Sequence, residues 1–248
     1  SLFFLKQKQK LFLFLILIFI LSEALIFLSG NRTAFFYINF SAIFVIIFSQ
    51  KLLKLRLITL ITSLLLLTII SFINPTAKER VLDQTIKQMN IINIIDKERK
   101  GEKLYIFSKE HTHHYITAYR MYLDNKILGV GVKNFRKFCS DKRYEVSSSS
   151  CASHPHNTYI QILSEIGIIG FLFLLLTLVY FCAYVLKHLI LRFKGKYYFN
   201  DFEICILSGI AIYLWPIIPT GNVFNNWLNI AMILNLPLLI WSRRSIKT

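Results

Sequence analysis

The apolar residues of this chain collect in long uninterrupted blocks, and the length of those blocks limits what it can fold into. From Leu11 to Leu28 the only charged residue is Glu23. An α-helix rises about 1.5 Å per residue, so roughly 17–25 apolar residues match the hydrocarbon thickness of a bilayer. Further blocks lie at Ala34 to Ser49, Leu57 to Ile73, Thr158 to Leu186, Ile204 to Ile218 and Val223 to Trp241. The predicted fold is all-α: a polytopic transmembrane helical bundle of about six spans. The charged fraction of 17% agrees, because soluble domains carry about 25%.

Charge then decides between two readings of a basic chain. With 29 Lys+Arg against 13 Asp+Glu, the formal charge of +16 would suit a nucleic-acid binder if the cations formed one patch. Instead they stand at the ends of apolar blocks. The four short basic segments are Lys6, Lys8 and Lys10; Lys51, Lys54 and Arg56; Lys187, Arg192, Lys194 and Lys196; and Arg243, Arg244 and Lys247. Threading six spans through them puts all four on one side, which the preference of Lys and Arg for short cytoplasmic loops makes the inner side. Nucleic acid is thereby excluded as a partner, and membrane lipids take its place. Three regions follow: spans over 1–73 with a short outer turn at 29–33, a periplasmic loop over 74–157, and three spans over 158–248. The chain begins with Ser1, and no removable signal peptide precedes the first span, so it is expected to lack its own N-terminal part.

The long loop is expected to be mostly helical. Leu82, Ile86, Met89 and Ile92 recur at helical spacing between Ala77 and Lys100, and a second helix is expected over about Thr112 to Leu123, ahead of a glycine turn at Gly129-Val130-Gly131. Cys139 and Cys151 lie in this loop, facing an oxidising compartment, and are expected to be joined; Cys182 and Cys205 lie in spans and are expected to be plain buried residues. His111, His113 and His114 lack a clear metal-partner set and read as a solvated or interfacial face, so no metal site is expected. His188, beside Lys187, reads as a snorkelling interface residue.

The densest chemistry lies where the loop enters the fourth block, in Ser153-His154-Pro155-His156-Asn157-Thr158-Tyr159-Ile160-Gln161 and on to Glu165, Gly167 and Gly170. Pro155 restricts His154 to extended geometry. Asn157, Gln161 and Glu165 recur every four residues, so they form one polar stripe on a helix, and polar groups descending into a membrane are functional candidates by default.

That segment resembles the signature of the O-antigen ligase and polymerase superfamily of bacterial membrane glycosyltransferases. Ser29-Gly30-Asn31-Arg32-Thr33-Ala34 is similar to the family's outer turn, Ala118 to Phe135 with Arg120, Asp124 and Leu128-Gly129-Val130-Gly131 to its outer-loop motif, and Pro219-Thr220-Gly221-Asn222 to its penultimate connection. The resemblance covers nearly the whole chain but only the C-terminal half of a typical member. It implies transfer of a glycan from polyisoprenyl (undecaprenyl) pyrophosphate to an acceptor hydroxyl at the periplasmic face of the bacterial inner membrane. The acceptor is lipid A core in a ligase and another lipid-linked repeat unit in a polymerase. No cofactor is implied, and the enzyme would be metal-independent.

A leaving pyrophosphate needs cations, which Arg supplies bidentately, and the acceptor hydroxyl needs a base, for which His titrates in the right range. His156 is the expected base, with Arg32 and Arg120 on the pyrophosphate; His154, Asn157, Gln161 and Glu165 are expected to bind substrate or support the site. Outside this class the alternatives are a transporter or flippase fragment using Glu23 and Glu165, and a non-catalytic scaffold.

Overall fold

The computed structural model describes residues 2–89, 105 and 107–245, and among these it is all-helical. It divides into two compact units, Ser1–Thr85 and Ile86–Thr248. The outer-loop sequence is thus shared between them. The part of the expected first loop helix beyond Met89, including Ile92, lies largely outside the described residues.

The first unit holds α1 (Leu2–Ser29), α2 (Arg32–Phe48), α3 (Leu53–Ile73), α4 (Pro75–Lys78), a π-helical turn (Glu79–Asp83) and α5 (Gln84–Gln88), whose end passes into the second unit. Helix α1 stops at Gly30, whose φ of +71° an L-side chain rarely adopts. Asn31 then caps α2, its Oδ1 accepting the Ala34 N–H at 3.0 Å. Asn74 does the same for α4, with Pro75 in the first turn where no N–H is needed. Ala24, Phe27, Leu67, Ala77 and Val81 form the buried core of this unit. One polar contact crosses it: the Ser63 hydroxyl donates to the fully buried Glu23 carboxylate, joining α3 to α1.

The second unit holds α6 (Lys109–Asp124), α7 (Phe135–Phe138), α8 (Thr158–Glu165), α9 (Gly167–Phe193), α10 (Asp201–Leu214), α11 (Asn226–Ile233) and α12 (Asn235–Ser245). Helix α6 packs on α8, and its buried face of Ala118 and Met121 meets Phe135, Cys139 and Tyr144.

Among the described residues three helical segments are long and apolar enough to cross a membrane: Lys10–Ser29, Leu53–Ile73 and Gly167–Phe193, with Arg32–Phe48 apolar but shorter. The expected fourth span is two helices, because α8 ends at Glu165 and α9 begins at Gly167 with φ +79°. The expected fifth is the 14-residue α10, ending just before Pro216, and the expected sixth is divided into α11 and α12 at Leu234.

Two side-chain expectations need correction. Cys182 and Cys205 are exposed on outward helix faces instead of buried. His188 is fully buried, not snorkelling, because its Nδ1 accepts the Phe199 N–H at 3.0 Å and so ties α9 to the turn before α10.

Candidate functional site

The break between α8 and α9 organises the second unit. Helix α8 begins where Asn157 Oδ1 accepts the N–H groups of Tyr159 at 3.0 Å and Ile160 at 3.1 Å. It ends where another chain segment takes over its last carbonyls: Val130 and Gly131 donate their N–H groups to the carbonyls of Ser164 at 2.9 Å and Glu165 at 3.0 Å. Ile168 N–H returns a bond to the Lys126 carbonyl at 2.8 Å. The backbones lie so close that a Cβ on Gly129 would meet the Glu165 and Ile166 backbone, and one on Gly167 the Ile127 carbonyl. The expected glycine turn is present, with Gly129 and Gly131 at φ +67° and +94°, and its role is to let segment 126–131 cross the helix end.

The polar stripe is spent on holding this crossing and a second one. Glu165 is 1% exposed; its carboxylate accepts the N–H groups of Phe135 at 2.8 Å and Lys133 at 3.1 Å and the Gln161 amide at 3.1 Å. Gln161 also donates to Asn222 Oδ1 at 2.9 Å and accepts the Val223 N–H at 3.1 Å. Asn157 donates to the Pro216 carbonyl at 2.7 Å, and Tyr159 to that of Leu214 at 2.6 Å. The stripe therefore binds segment 214–223 through Asn157 and Gln161 and segment 129–135 through Glu165 at the end of α8. Each of these side chains has partners inside the chain.

The two histidines before α8 differ sharply. His154 has both ring nitrogens engaged: Nε2 donates to the Thr220 carbonyl at 3.1 Å, and Nδ1 accepts from the Ser153 hydroxyl at 2.8 Å. The carbonyl contact puts a proton on Nε2. Burial holds its pKa below the usual histidine range, partly offset by the Thr220 bond.

His156 adopts φ +58°, a left-handed conformation uncommon outside glycine, with its carbonyl accepting the Thr220 N–H at 2.9 Å. Among the described residues its ring has no hydrogen-bond partner. Three imidazoles surround it instead, with ring centroids at 4.2 Å for His154 and 5.5 Å for both His111 and His114. Burial, and then the proximity of these three rings, pushes the His156 pKa down to about 4. The expectation of a base titrating near neutrality is corrected accordingly.

His111 and His114 are the residues that sequence reasoning passed over. The cluster His111-Thr112-His113-His114 was visible, but its division was not. Ser108 caps α6 and orients His111 through a 2.8 Å contact to Nδ1, while His114 is buried. His113 points elsewhere, with Nδ1 2.6 Å from Ser147 Oγ and 2.9 Å from Ser149 Oγ. Among the described residues no group of histidine, cysteine and acidic side chains has a geometry that holds a metal ion.

The expected arginines are placed as follows. Arg120 is exposed, and its Nη1 donates to the Glu145 carbonyl at 2.7 Å. It lies nine residues from His111, half a turn round α6 and about 13 Å along it by helix geometry, so it is not brought to the imidazole cluster. Arg32 opens α2 in the first unit, its Nη1 3.4 Å from Thr85 Oγ1. A second arginine joins that turn: a Cβ on Gly30 would stand 2.9 Å from Arg80 Cδ, so the Arg80 side chain lies against the Gly30 turn that carries Arg32. The sequence carried no signal for Arg80, because its register depends on the π-helical turn at Glu79–Asp83.

Cys139 and Cys151 are joined by a disulfide with Cα atoms 5.0 Å apart. It links the end of α7 to the segment leading to His154.

Residues 13–175 match the family described as O-antigen ligase. No curated protein and no solved structure matches the chain.

Proposed function

Because the chain belongs to the O-antigen ligase family, we propose that it transfers a glycan from undecaprenyl pyrophosphate to a hydroxyl of lipid A core, at the periplasmic face of the bacterial inner membrane. The acceptor oxygen attacks the anomeric carbon, the bond from that carbon to the pyrophosphate oxygen breaks, and the acceptor proton passes to His156. The pyrophosphate leaves as an anion.

The single observation that carries the role of His156 is its half-buried ring, without a hydrogen-bond partner among the described residues, at a strained backbone position amid three other imidazoles. A pKa near 4 keeps it neutral, and so able to accept a proton, at physiological pH. An anionic donor brought beside it raises that value toward the neutral range, strengthening the base when substrate is bound. His154, with both nitrogens engaged, acts as a positioning residue.

Arg32 is assigned to the pyrophosphate together with Arg80, whose side-chain stem lies against the same turn, since arginine binds phosphate oxygens bidentately. Asn157, Gln161 and Glu165 support the site by holding the segments around α8, and no metal or cofactor takes part in this reading.

The test is the lipopolysaccharide banding pattern after deletion of the full-length gene, with complementation by the wild-type gene and by His156→Ala. Loss of all polymer on lipid A core, restored only by wild type, is the expected result. A single capped repeat would identify a polymerase, and an unchanged pattern would remove the reading.

A further inference from the structure

The first unit contains an open cavity of about 420 Å³ between α1, α2 and α3, within the range of roughly 300–1,000 Å³ usual for ligand pockets. Its walls are apolar, with Phe12 and Phe19 from α1, Ile38 and Val45 from α2, and Leu60 from α3. Thr59 adds little polarity, because its hydroxyl donates to the Leu55 carbonyl of its own helix at 2.9 Å.

The two ends of the chamber differ. At one end the half-buried Arg56 lines it, with Lys51 and Lys54 a few residues away. Leu52, also a lining residue, is held at φ +59° and turns the connection between α2 and α3 there. At the other end, about one helical turn beyond Phe19 and Leu60, the buried Glu23 and Ser63 are bonded to each other. The basic Lys51, Lys54 and Arg56 thus stand toward one end, and the acidic Glu23, hydrogen-bonded by Ser63, toward the other.

An apolar cavity with basic residues toward one end fits an amphiphile with an anionic head. We propose that it is a binding site for one anionic glycerophospholipid, with the phosphate on Arg56 and an acyl chain between α1, α2 and α3. The basic end lies at the end of the helices opposite the Arg32 turn, which separates this lipid from the polyisoprenyl donor assigned above. Charge complementarity selects the head group: phosphatidylglycerol carries a net negative charge and phosphatidylcholine does not. The proposal does not depend on the glycan-transfer reading.

The experiment uses the whole chain, reconstituted in nanodiscs with equal amounts of phosphatidylglycerol and phosphatidylcholine and released for native mass spectrometry. One retained phosphatidylglycerol is expected, favoured over phosphatidylcholine by at least about fivefold. Arg56→Gln should bring the two lipids close to equal retention, and Val45→Trp, which fills the chamber, should remove both. Arg192→Gln, a cation of the other unit, should leave the preference intact.

The selectivity of the unmodified protein is read without any variant, so it decides the matter even if Arg56→Gln does not fold. Equal retention of both lipids by the wild type, or a preference unaffected by both chamber variants, would overturn the proposal. So would displacement of phosphatidylglycerol by equimolar undecaprenyl phosphate, or a second copy of the chain in place of lipid.

Discussion

Removing the Glu165 carboxylate should loosen the second unit before it affects any substrate. Glu165→Ala leaves three donors facing a site closed to water: the backbone N–H groups of Lys133 and Phe135 and the Gln161 amide. A buried donor without a partner costs about 1–3 kcal/mol, so the three together cost roughly 3–9 kcal/mol, a large share of the roughly 5–15 kcal/mol that stabilises a typical domain. For a chain of this size each kcal/mol lowers Tm by about 2–4 °C, so Tm should fall by at least about 6 °C. Glu165→Gln should fall by less, since it keeps one acceptor but turns an amide N–H toward a donor.

The assay is thermal unfolding of the detergent-solubilised protein together with limited trypsin digestion. Cleavage after Lys133 should accelerate in the alanine variant, because among the described residues the hydrogen bonds from segment 129–135 to α8 are then reduced to those of the Val130 and Gly131 backbone. A Glu165→Ala protein with wild-type Tm and a protected Lys133, but a raised KM for the glycan donor, would refute this. The carboxylate would then serve substrate, as the sequence alone suggested.

His156→Ala should lower transfer by about 10²–10⁴-fold with helix content unchanged in circular dichroism, and His154→Ala should lower both activity and Tm. The acid limb of kcat/KM should lie near pH 4, the value to which His156 is held, because protonation removes the base only as pH falls through it; a midpoint near 6.5 would contradict the buried cluster. Arg80→Ala should reduce donor binding more than Arg120→Ala, measured as KM for the lipid-linked glycan, and the reverse order would return Arg120 to the site. Reducing the Cys139–Cys151 disulfide should cost about 3 kcal/mol by the chain-entropy estimate and speed proteolysis between the two cysteines, with non-reduced peptide mapping as the control.

Much was decided by sequence alone, and for local reasons. Long apolar runs without proline favour helices for local reasons, which is why Lys10–Ser29, Leu53–Ile73 and Gly167–Phe193 stand as long apolar helices. Asn31, Asn74 and Asn157 announce the helix starts they cap, since a cap bonds within three residues of itself. The motif order through His154, His156 and Glu165 carried the family. Contacts between distant segments were decided only by tertiary structure. The stripe of Asn157, Gln161 and Glu165 read as a face for substrate because its partners, at 129–135 and 214–223, lie far away in the chain. The fourth block read as one span because only the crossing of segment 126–131 ends α8. The same holds for the imidazoles: spacing places His111 and His114 on one face of α6, but it takes the packing of α6 against α8 to set them beside His156, and it is that shared burial that moves the base away from neutrality.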